Sequence, residues 1–285
     1  MSDARLGGDI RRDGGAIPNR TASSRWGIGA SRSLLYLYVT RDGTPTDAGR
    51  DVAGGEESMR FEVRAGDCAW SYYSWQRTPK WNDCKYDRER RERKQDPHIE
   101  GGEKWYHFSL FLPEDFTVID PVQTVLGQFH EGLGRKGSFM FYLDRAGYRV
   151  RHGARHTKYS SVHGGGTIVG NPYILKVSEM RGKWTDILMH VKWSSVGNGF
   201  FRVYVNGNAE PSYAWSVHTK RNLPTTKVHW KFGIYRVYVS RYYAYRLTKK
   251  IGYVPTQVAY YDDVRKGSSC KEVTEYFDCG AIDGK

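Results

Sequence analysis

Short runs in which apolar and polar residues alternate recur along most of the chain. The clearest is Glu103–Leu112, which ends at Pro113, and the strongest hairpin signal is Trp184–Trp193 with Gly199–Val205 and an Asn206-Gly207 turn. Because successive side chains of a strand point to opposite faces, this alternation predicts strands with one buried face. Further strands are predicted at Ser33–Thr40, Met59–Arg64, Arg88–Lys94, Pro121–His130, Ser138–Leu143, Tyr148–His152 and Lys227–Val239. Turn residues separate these runs, so the pattern favours an all-β sandwich or barrel.

No internal repeat and no sharp change of composition divides the chain. Residues 1–32 are polar and aperiodic, which predicts a flexible N-terminal arm, and residues 33–285 are predicted to form a single β domain. The segment Tyr159–Asn171 holds four glycines and is predicted to be a mobile loop. No apolar run is long enough for a membrane helix, and Met1–Arg12 lacks the apolar centre of a signal peptide. We therefore expect either an intracellular chain or one that follows a removed signal.

The formal net charge of +13 predicts an anionic partner, which could be a nucleic acid, a membrane surface or an acidic polysaccharide. Only the charge supports a nucleic-acid partner, since the aromatic strand motifs of RNA-binding domains are absent. Part of the charge lies in Lys85–Lys94, where arginine alternates with glutamate. That alternation suits a half-buried, ion-paired strand as well as a binding patch.

Four cysteines suggest two disulfides by their closeness in sequence, Cys68 with Cys84 and Cys270 with Cys279. The first would close a long loop and contribute about 3 kcal/mol in the chain-entropy description. The rival interpretations are four reduced thiols or a zinc site, although neither pair has the short spacing of a zinc knuckle. The disulfide interpretation favours a secreted or periplasmic protein.

Three predicted strands carry residues suited to proton transfer beside a carboxylate. Lys231 and Tyr235 share one face of their strand, and so do Gln128 and His130. Arg88, Arg90 and Glu92 share a face of a third strand. If the three faces meet, they combine a base, a phenol and several donors that could hold a carboxylate.

This set matches the needs of β-elimination on a uronic-acid polysaccharide. The reaction needs the sugar carboxylate neutralised, the C5 proton removed and the departing O4 protonated. Gln128 and Arg90 are candidates for holding the carboxylate, and His130 is a competent neutral base. Tyr235 is the candidate acid, or both acid and base if nearby cations such as Lys231 lower its pKa.

Structural interpretations compete with each of these assignments. A lone Gln-x-His on a strand is more often a hydrogen-bonded pair, and Arg90 and Glu92 could simply pair with each other. A glycoside hydrolase on a sandwich would need paired carboxylates, and no Glu-x-Asp-x-Glu run is present. A non-catalytic carbohydrate-binding module is the stronger rival, since it needs only an aromatic-rich sandwich.

Three patterns together resemble the jelly-roll polysaccharide lyases, the group that contains alginate lyases, glucuronan lyases and heparin lyases. They are Arg-x-Glu at Arg90–Glu92, Gln-x-His at Gln128–His130 and Lys-x-x-x-Tyr at Lys231–Tyr235. The surrounding phrases are similar too: Arg60–Cys68, Asp83-Cys84, Asp87–Arg90, Trp105–Phe116 and Trp184–Gly207. The resemblance covers about residues 55–245 and is closest to the heparin-lyase and glucuronan-lyase side.

The resemblance implies a β-jelly roll, a concanavalin-like sandwich of two antiparallel sheets with a concave substrate groove. It implies a lyase that cleaves glucuronan, alginate or a heparin-like polymer and leaves an unsaturated uronate end. His130 and Tyr235 would carry the proton transfers, while Gln128 and Arg90 act on the carboxylate. Lys231 would bind substrate or tune Tyr235.

Other residues are expected to line the groove. The substrate-binding candidates are Arg88, Glu92, Tyr142, Arg149, Arg151 and Arg236, with His152 and Arg155 as weaker ones. The chain departs from the family pattern at Arg91 and Arg93, where the family often has serine and an apolar residue. This predicts either a more anionic polymer or a solvated outer face.

The remaining expectations concern cofactors and partners. The chemistry needs no cofactor, but the resemblance implies a structural calcium ion, for which Asp186 or the Asp262-Asp263 pair are candidates. No EF-hand-like calcium loop is present. The expected partner is an acidic polysaccharide, with no nucleic acid and no membrane, and the chain is expected to be a monomer.

Overall fold

Two antiparallel sheets stacked face to face contain most of the described strands. The structure is a computed structural model, and it describes residues 38–40, 57–73, 76–95, 102–131, 137–152, 172–220, 227–247 and 253–283. The strands are β1 Tyr38–Thr40, β2 Glu57–Val63, β3 Trp70–Tyr73, β4 Gln76–Asn82, β5 Arg88–Lys94, β6 Glu103–Phe111, β7 Gln123–Glu131, β8 Gly137–Asp144, β9 Gly147–His152, β10 Tyr173–Leu175, β11 Trp184–Lys192, β12 Gly199–Val205, β13 Tyr213–Val217, β14 Val228–Val237 and β15 Gln257–Gly267. The helices are α1 Ser240–Leu247, α2 Cys270–Val273 and α3 Cys279–Asp283, with short 3-10 turns at Asp83–Tyr86 and Val177–Glu179.

The seven-stranded sheet has the order β1-β2-β15-β6-β11-β12-β13, and the six-stranded sheet has the order β10-β9-β8-β7-β14-β5. Strands β3 and β4 form a separate hairpin. This architecture confirms the predicted all-β sandwich of two antiparallel sheets. Each sheet presents one face to the core, and the face of the six-stranded sheet that points away from the core is here called the site face.

Aromatic side chains fill the space between the sheets. Phe139 stacks on Phe201 with ring centroids 3.9 Å apart, and Phe129 packs edge-on against Phe201 at 5.6 Å. Trp230 is buried beside them. Burying a large apolar side chain is worth about 1.5–3 kcal/mol, so these rings hold the two sheets together. His152 also lies in this core, stacked on Phe139 at 4.5 Å, which contradicts its weaker assignment to the groove.

Arg236 lies on the core side of β14, fully buried. Its guanidinium donates to Glu89 Oε2 at 3.1 Å, to Gln257 Oε1 at 3.1 Å and to the carbonyl oxygens of Val63 and Pro255. These partners belong to β5, β15 and β2 or lie next to β15. The expectation that Arg236 binds substrate is therefore wrong, because it follows Tyr235 directly and strand alternation turns it inward.

The register of β14 against β7 shifts by one residue between Phe232 and Tyr235. Gly233 lies at the shift with φ +123°, and a Cβ there would lie 2.3 Å from the carbonyl oxygen of Arg91. Only glycine fits this backbone and this close approach. The shift places Tyr235 opposite Val125 on the neighbouring strand.

Both predicted disulfides are confirmed. Cys68 is bonded to Cys84 and Cys270 to Cys279, with Cα–Cα separations of 5.3 and 5.7 Å. The described residues contain no free cysteine, and the two rival interpretations of the thiols are thereby excluded.

Several predictions concern parts of the chain outside the described residues. They are the N-terminal arm at 1–32, the loop Tyr159–Asn171 and the candidate Arg155. Of the predicted strand Ser33–Thr40, the described part is β1. In the portion that the structure describes, no helix is long and apolar enough to cross a membrane.

The buried Arg236–Glu89 pair generates a stability prediction. Replacing Arg236 with methionine leaves the Glu89 carboxylate buried without its cation, so the free energy of unfolding should fall by about 3–5 kcal/mol. Urea denaturation measures this change. The double variant Arg236→Met/Glu89→Gln should be more stable than Arg236→Met alone, because it leaves no buried charge. If Arg236→Met unfolds at the same urea concentration as the parent protein but binds ligand less well, the structural role of Arg236 is contradicted.

Candidate active site

Five side chains lie in one row across the six-stranded sheet. Lys94 on β5 is opposite Lys231 on β14, which is opposite Gln128 on β7. Gln128 is opposite Met140 on β8, and Met140 is opposite Arg151 on β9. Directly opposed residues of antiparallel strands point to the same face, so this row lies on the site face.

A second row runs parallel to the first. It consists of Arg90, Tyr235, Val125, Tyr142 and Arg149, each opposite the next. Tyr235, Val125 and Tyr142 pack together as a buried apolar cluster on the site face. The predicted Arg-x-Glu, Gln-x-His and Lys-x-x-x-Tyr strands are therefore neighbours, and their functional side chains share one surface.

Glu92 lies between these rows and holds two of the predicted carboxylate donors. Gln128 Nε2 donates to Glu92 Oε1 at 2.6 Å, and an Arg90 terminal nitrogen donates to Glu92 Oε2 at 3.2 Å. The Glu92 backbone is opposite Gly233, which has no side chain to intervene. The predicted donors are thus arranged to hold a carboxylate, and in the free protein they bind the carboxylate of Glu92.

Asp83 fixes the orientation of Arg90. The Asp83 carboxylate is fully buried and accepts from two guanidinium nitrogens of Arg90, one of them at 2.7 Å. Burial alone would lower the pKa of Arg90, but Glu92 and Asp83 together raise it above its ordinary value. The sequence interpretation gave Asp83 no role, and its position before Cys84 in the disulfide-closed loop was the available signal.

Tyr235 lies beneath the Arg90 guanidinium, whose carbon is 4.1 Å from the ring centroid. Burial raises the pKa of Tyr235 to about 12, although Arg90 and Arg88 oppose the increase. At neutral pH Tyr235 is therefore a protonated phenol in the free protein, able to donate a proton.

His130 is uncharged at neutral pH. Burial lowers the pKa of His130 to about 3, with further lowering by Lys231, Arg90, His229 and Lys94. A histidine with so low a pKa carries no proton on one ring nitrogen at neutral pH and can accept one there.

A second histidine, which the sequence interpretation missed, faces the first. His229 on β14 is directly opposite His130 on β7. Burial lowers the pKa of His229 to about 4, and Lys94 and Lys231 lower it further. Burial also lowers the pKa of Lys231, although Glu92 opposes that change.

The flanking cations are placed around these residues. Arg149 pairs with Asp144 at 2.9 Å, and the Arg151 guanidinium lies 5.5 Å from the centre of the Tyr142 ring. Arg88 is opposite Val237 in the register of β5 and β14. Arg149 and Arg151 are the β9 members of the two rows, and Arg88 lies one step beyond the second row on β5.

Arg91 and Arg93 point to the opposite face of β5. Arg91 pairs with Asp67 at 2.9 Å, and an Arg93 nitrogen lies 2.8 Å from the sulfur of Met59. Both contact the body of the protein on the side of β5 away from Arg90 and Glu92, and the expectation of a more anionic or differently substituted polymer stays a prediction.

One known protein family matches most of this chain. A family model described as polysaccharide lyase matches residues 19–265. The chain belongs to the polysaccharide lyase family. It is therefore an enzyme that cleaves a polysaccharide, as predicted, and a search of curated protein sequences gives no match.

Solved structures similar to this lyase include two other lyases and a glucanase domain. The endo-β-1,4-glucuronan lyase of the fungus Trichoderma reesei matches with a TM-score of 0.51 and 19% identity, over 77% of this chain and 84% of that one. The alginate lyase AlgAT5 of polysaccharide lyase family 7 matches with a TM-score of 0.43 and 13% identity, over 83% and 84%. A GH131 β-glucanase catalytic domain from Podospora anserina matches with a TM-score of 0.43 and 11% identity, over 78% and 76%. The first of these similarities supports a jelly-roll fold.

The candidate calcium ligands of the lyase are held by protein donors. Asp186 accepts from Ser109 Oγ at 2.7 Å, and in the Asp262-Asp263 pair the second carboxylate accepts from the Tyr276 hydroxyl at 2.6 Å. Among the described residues, no three histidine, cysteine or acidic side chains are grouped to hold a metal ion. These residues therefore do not fit the expected calcium ion.

The low pKa of His130 predicts how the lyase responds to acid. Its imidazole should stay neutral across about pH 5–8, where an ordinary histidine titrates. NMR measures this titration, and the His229→Gln variant removes the signal of the neighbouring histidine. In the unfolded chain the pKa returns to 6.5, against about 3 when folded. The unfolded state therefore binds the extra proton first, and the free energy of unfolding should fall as the pH drops from 6.5 towards 3. The variant His130→Gln should lessen this fall, whereas a His130 titration near 6.5 would contradict the assigned environment.

The contact between Asp83 and Arg90 predicts a positioning effect. The variant Asp83→Asn should lower kcat by about tenfold to a hundredfold, because Arg90 loses the partner that holds it over Tyr235. The matched control is Asp67→Asn, which removes a partner of Arg91 on the other face of the same strand and should leave kcat close to that of the parent. Thermal denaturation of both variants separates lost stability from lost turnover. Equal kcat values for Asp83→Asn and Asp67→Asn would contradict the positioning role of Asp83.

Proposed function

We propose that this lyase cleaves a uronic-acid polysaccharide by β-elimination at His130 and Tyr235. The observation that carries the proposal is the pairing of a neutral imidazole and a protonated phenol on one face, beside donors that already hold a carboxylate. A carbohydrate-binding module would have no need for this pairing.

The substrate carboxylate can be held without displacing Glu92. The Gln128 amide has two N–H groups and gives one to Glu92, so the other is available. Arg90 has five N–H groups, of which two point to Asp83 and one to Glu92. A sugar carboxylate held by these donors is partly neutralised, and the proton on the adjacent C5 becomes more acidic.

Elimination then moves one proton to the protein and one to the sugar. His130 accepts the C5 proton, and the electrons of that bond form the double bond between C4 and C5. The bond from C4 to O4 breaks, and Tyr235 donates its phenolic proton to O4. The Arg90 guanidinium at 4.1 Å and the Arg88 cation stabilise the resulting phenolate until solvent protonates it again.

The charge of the chain supports the proposed substrate class, and the disulfides support the proposed compartment. A net charge of +13 and the cations beside the two rows suit glucuronan, alginate or a heparin-like chain. Glucuronan is the first polymer to test, since the Trichoderma reesei enzyme named above is a glucuronan lyase. Two disulfides favour an oxidising compartment, so we place the enzyme outside the cytoplasm.

The proposal predicts that two single variants lose turnover for different reasons. The reaction of a panel of uronate polymers is followed by the ultraviolet absorbance of the unsaturated uronate product. His130→Ala removes the base and Tyr235→Phe removes the acid, so each should lower kcat by at least about a hundredfold. Both should keep the fold and measurable polymer binding.

Two results would contradict the proposal. Near-parent kcat for either variant would remove that residue from the reaction. Binding of a uronate polymer by the parent protein with no gain in absorbance across the panel would favour the carbohydrate-binding alternative.

A further inference from the structure

Tyr238 has an unusual backbone conformation beside the site. It follows the last residue of β14, three positions after Tyr235, and has φ +64° with 43% of its surface exposed. The other described non-glycine residues with positive φ are Asp87, Asn206 and Asp263. Asparagine and aspartate tolerate this region, whereas a bulky aromatic residue is strained there. Such strain persists only where surrounding contacts impose it, and it is concentrated at functional sites.

Asp87 imposes this conformation. The Tyr238 backbone N–H donates to the Asp87 carbonyl oxygen at 2.9 Å. The Asp87 carboxylate accepts from the backbone N–H of Ser240 at 2.6 Å and from its hydroxyl at 2.8 Å. Three hydrogen bonds to Asp87 therefore hold the turn between β14 and α1, and the Tyr238 ring is exposed rather than buried.

Arg241 on α1 completes the feature. Its guanidinium carbon lies 4.0 Å from the centre of the Tyr238 ring, and its side chain is exposed. A guanidinium stacked on a ring keeps its N–H groups at the edge, where a carboxylate can be bound by two of them.

The pair lies next to the second row of the site. Val237, the residue before Tyr238, packs in the apolar cluster with Tyr235 and Tyr142. The pKa of Tyr142 is raised, chiefly by burial, and Tyr238 contributes to the increase. Tyr238 therefore directly follows the Val237 end of this cluster on the site face.

We propose that Tyr238 and Arg241 form an additional sugar-binding subsite at the Tyr235 end of the groove. The Tyr238 ring stacks on one uronate ring of the polymer, and Arg241 binds the carboxylate of that uronate. This inference rests on the proposed uronate substrate and adds a specific position beyond the reacting bond. An aromatic face suits the apolar face of a sugar ring, and the adjacent cation selects an acidic sugar over a neutral one.

Direct binding tests the subsite independently of turnover. Calorimetry measures the affinity of Tyr235→Phe protein for glucuronate and alginate oligomers of increasing length. Adding Tyr238→Gly should weaken binding of long oligomers by about tenfold and leave short ones unchanged. The same change should raise the melting temperature, because glycine adopts this φ without strain. A purely structural role would instead lower the melting temperature and leave the length dependence unaltered.

Control variants sharpen the comparison. Tyr238→Phe keeps the ring and should retain affinity, and Tyr253→Ala removes another exposed tyrosine and should have no effect. Arg241→Gln should weaken binding of long oligomers mainly at low salt. Tyr238→Asn, which also tolerates the left-handed region, replaces the glycine variant if that one fails to fold.

Unchanged affinity for every oligomer length in Tyr238→Gly would overturn the subsite. So would an equal loss for short and long oligomers. If oligomers bind with the predicted length dependence but the parent releases no unsaturated product, the subsite stands and the elimination proposal fails.

Discussion

Strand β14 lies between β5 and β7, and its hydrogen-bonded register with both strands determines which side chains meet on the site face. That register sets Lys231 beside Gln128 and Tyr235 beside Arg90. Strand alternation sends the residue after Tyr235 into the core, where Arg236 ties β14 to three other segments. The strand that carries Tyr235 is thus fixed from the opposite side by a buried cation. A slip of one residue in this register would exchange the two faces.

The electrostatics of the site follow from crowding cations around two partly buried groups. Lys231, Arg90 and Lys94 all disfavour a second proton on His130, and burial acts in the same direction. Burial raises the pKa of Tyr235 and the cations lower it, and the effect of burial is the larger one. His130 is therefore deprotonated and Tyr235 protonated at the same pH, which is the combination that the proposed elimination needs. If only the cations acted on both groups, the pKa of Tyr235 would be lower and its phenol would lose the proton more readily.

Sequence reasoning predicted most of this surface because strand alternation is local. The strands with clear alternation, such as Glu103–Leu112, appear within a residue or two of their predicted bounds. Strand β15 at Gln257–Gly267 is absent from the predicted strands because its charged residues obscure the alternation, although Asp263 is satisfied by Arg265 and Tyr276. The same alternation rule would have excluded Arg236, since it cannot share a face with Tyr235. Asp83 was missed because its contact with Arg90 depends on how a long loop folds back, and only its position before Cys84 pointed to it.

That loop helps to hold the β5 side of the site in place. A disulfide between Cys68 and Cys84 closes the loop just before β5. Three aspartates near the disulfide each hold a different part of this side of the site. Asp67 accepts from Arg91 on the inner side of β5, Asp83 orients Arg90 on the outer side, and Asp87 fixes the turn that displays Tyr238. The Cys68–Cys84 disulfide stabilises this part of the protein mainly by limiting the conformations of the unfolded loop. Orientation of Arg90 over Tyr235 and presentation of Tyr238 depend on Asp83 and Asp87, which lie close together in the chain, even though Arg90 and Tyr238 lie on different segments.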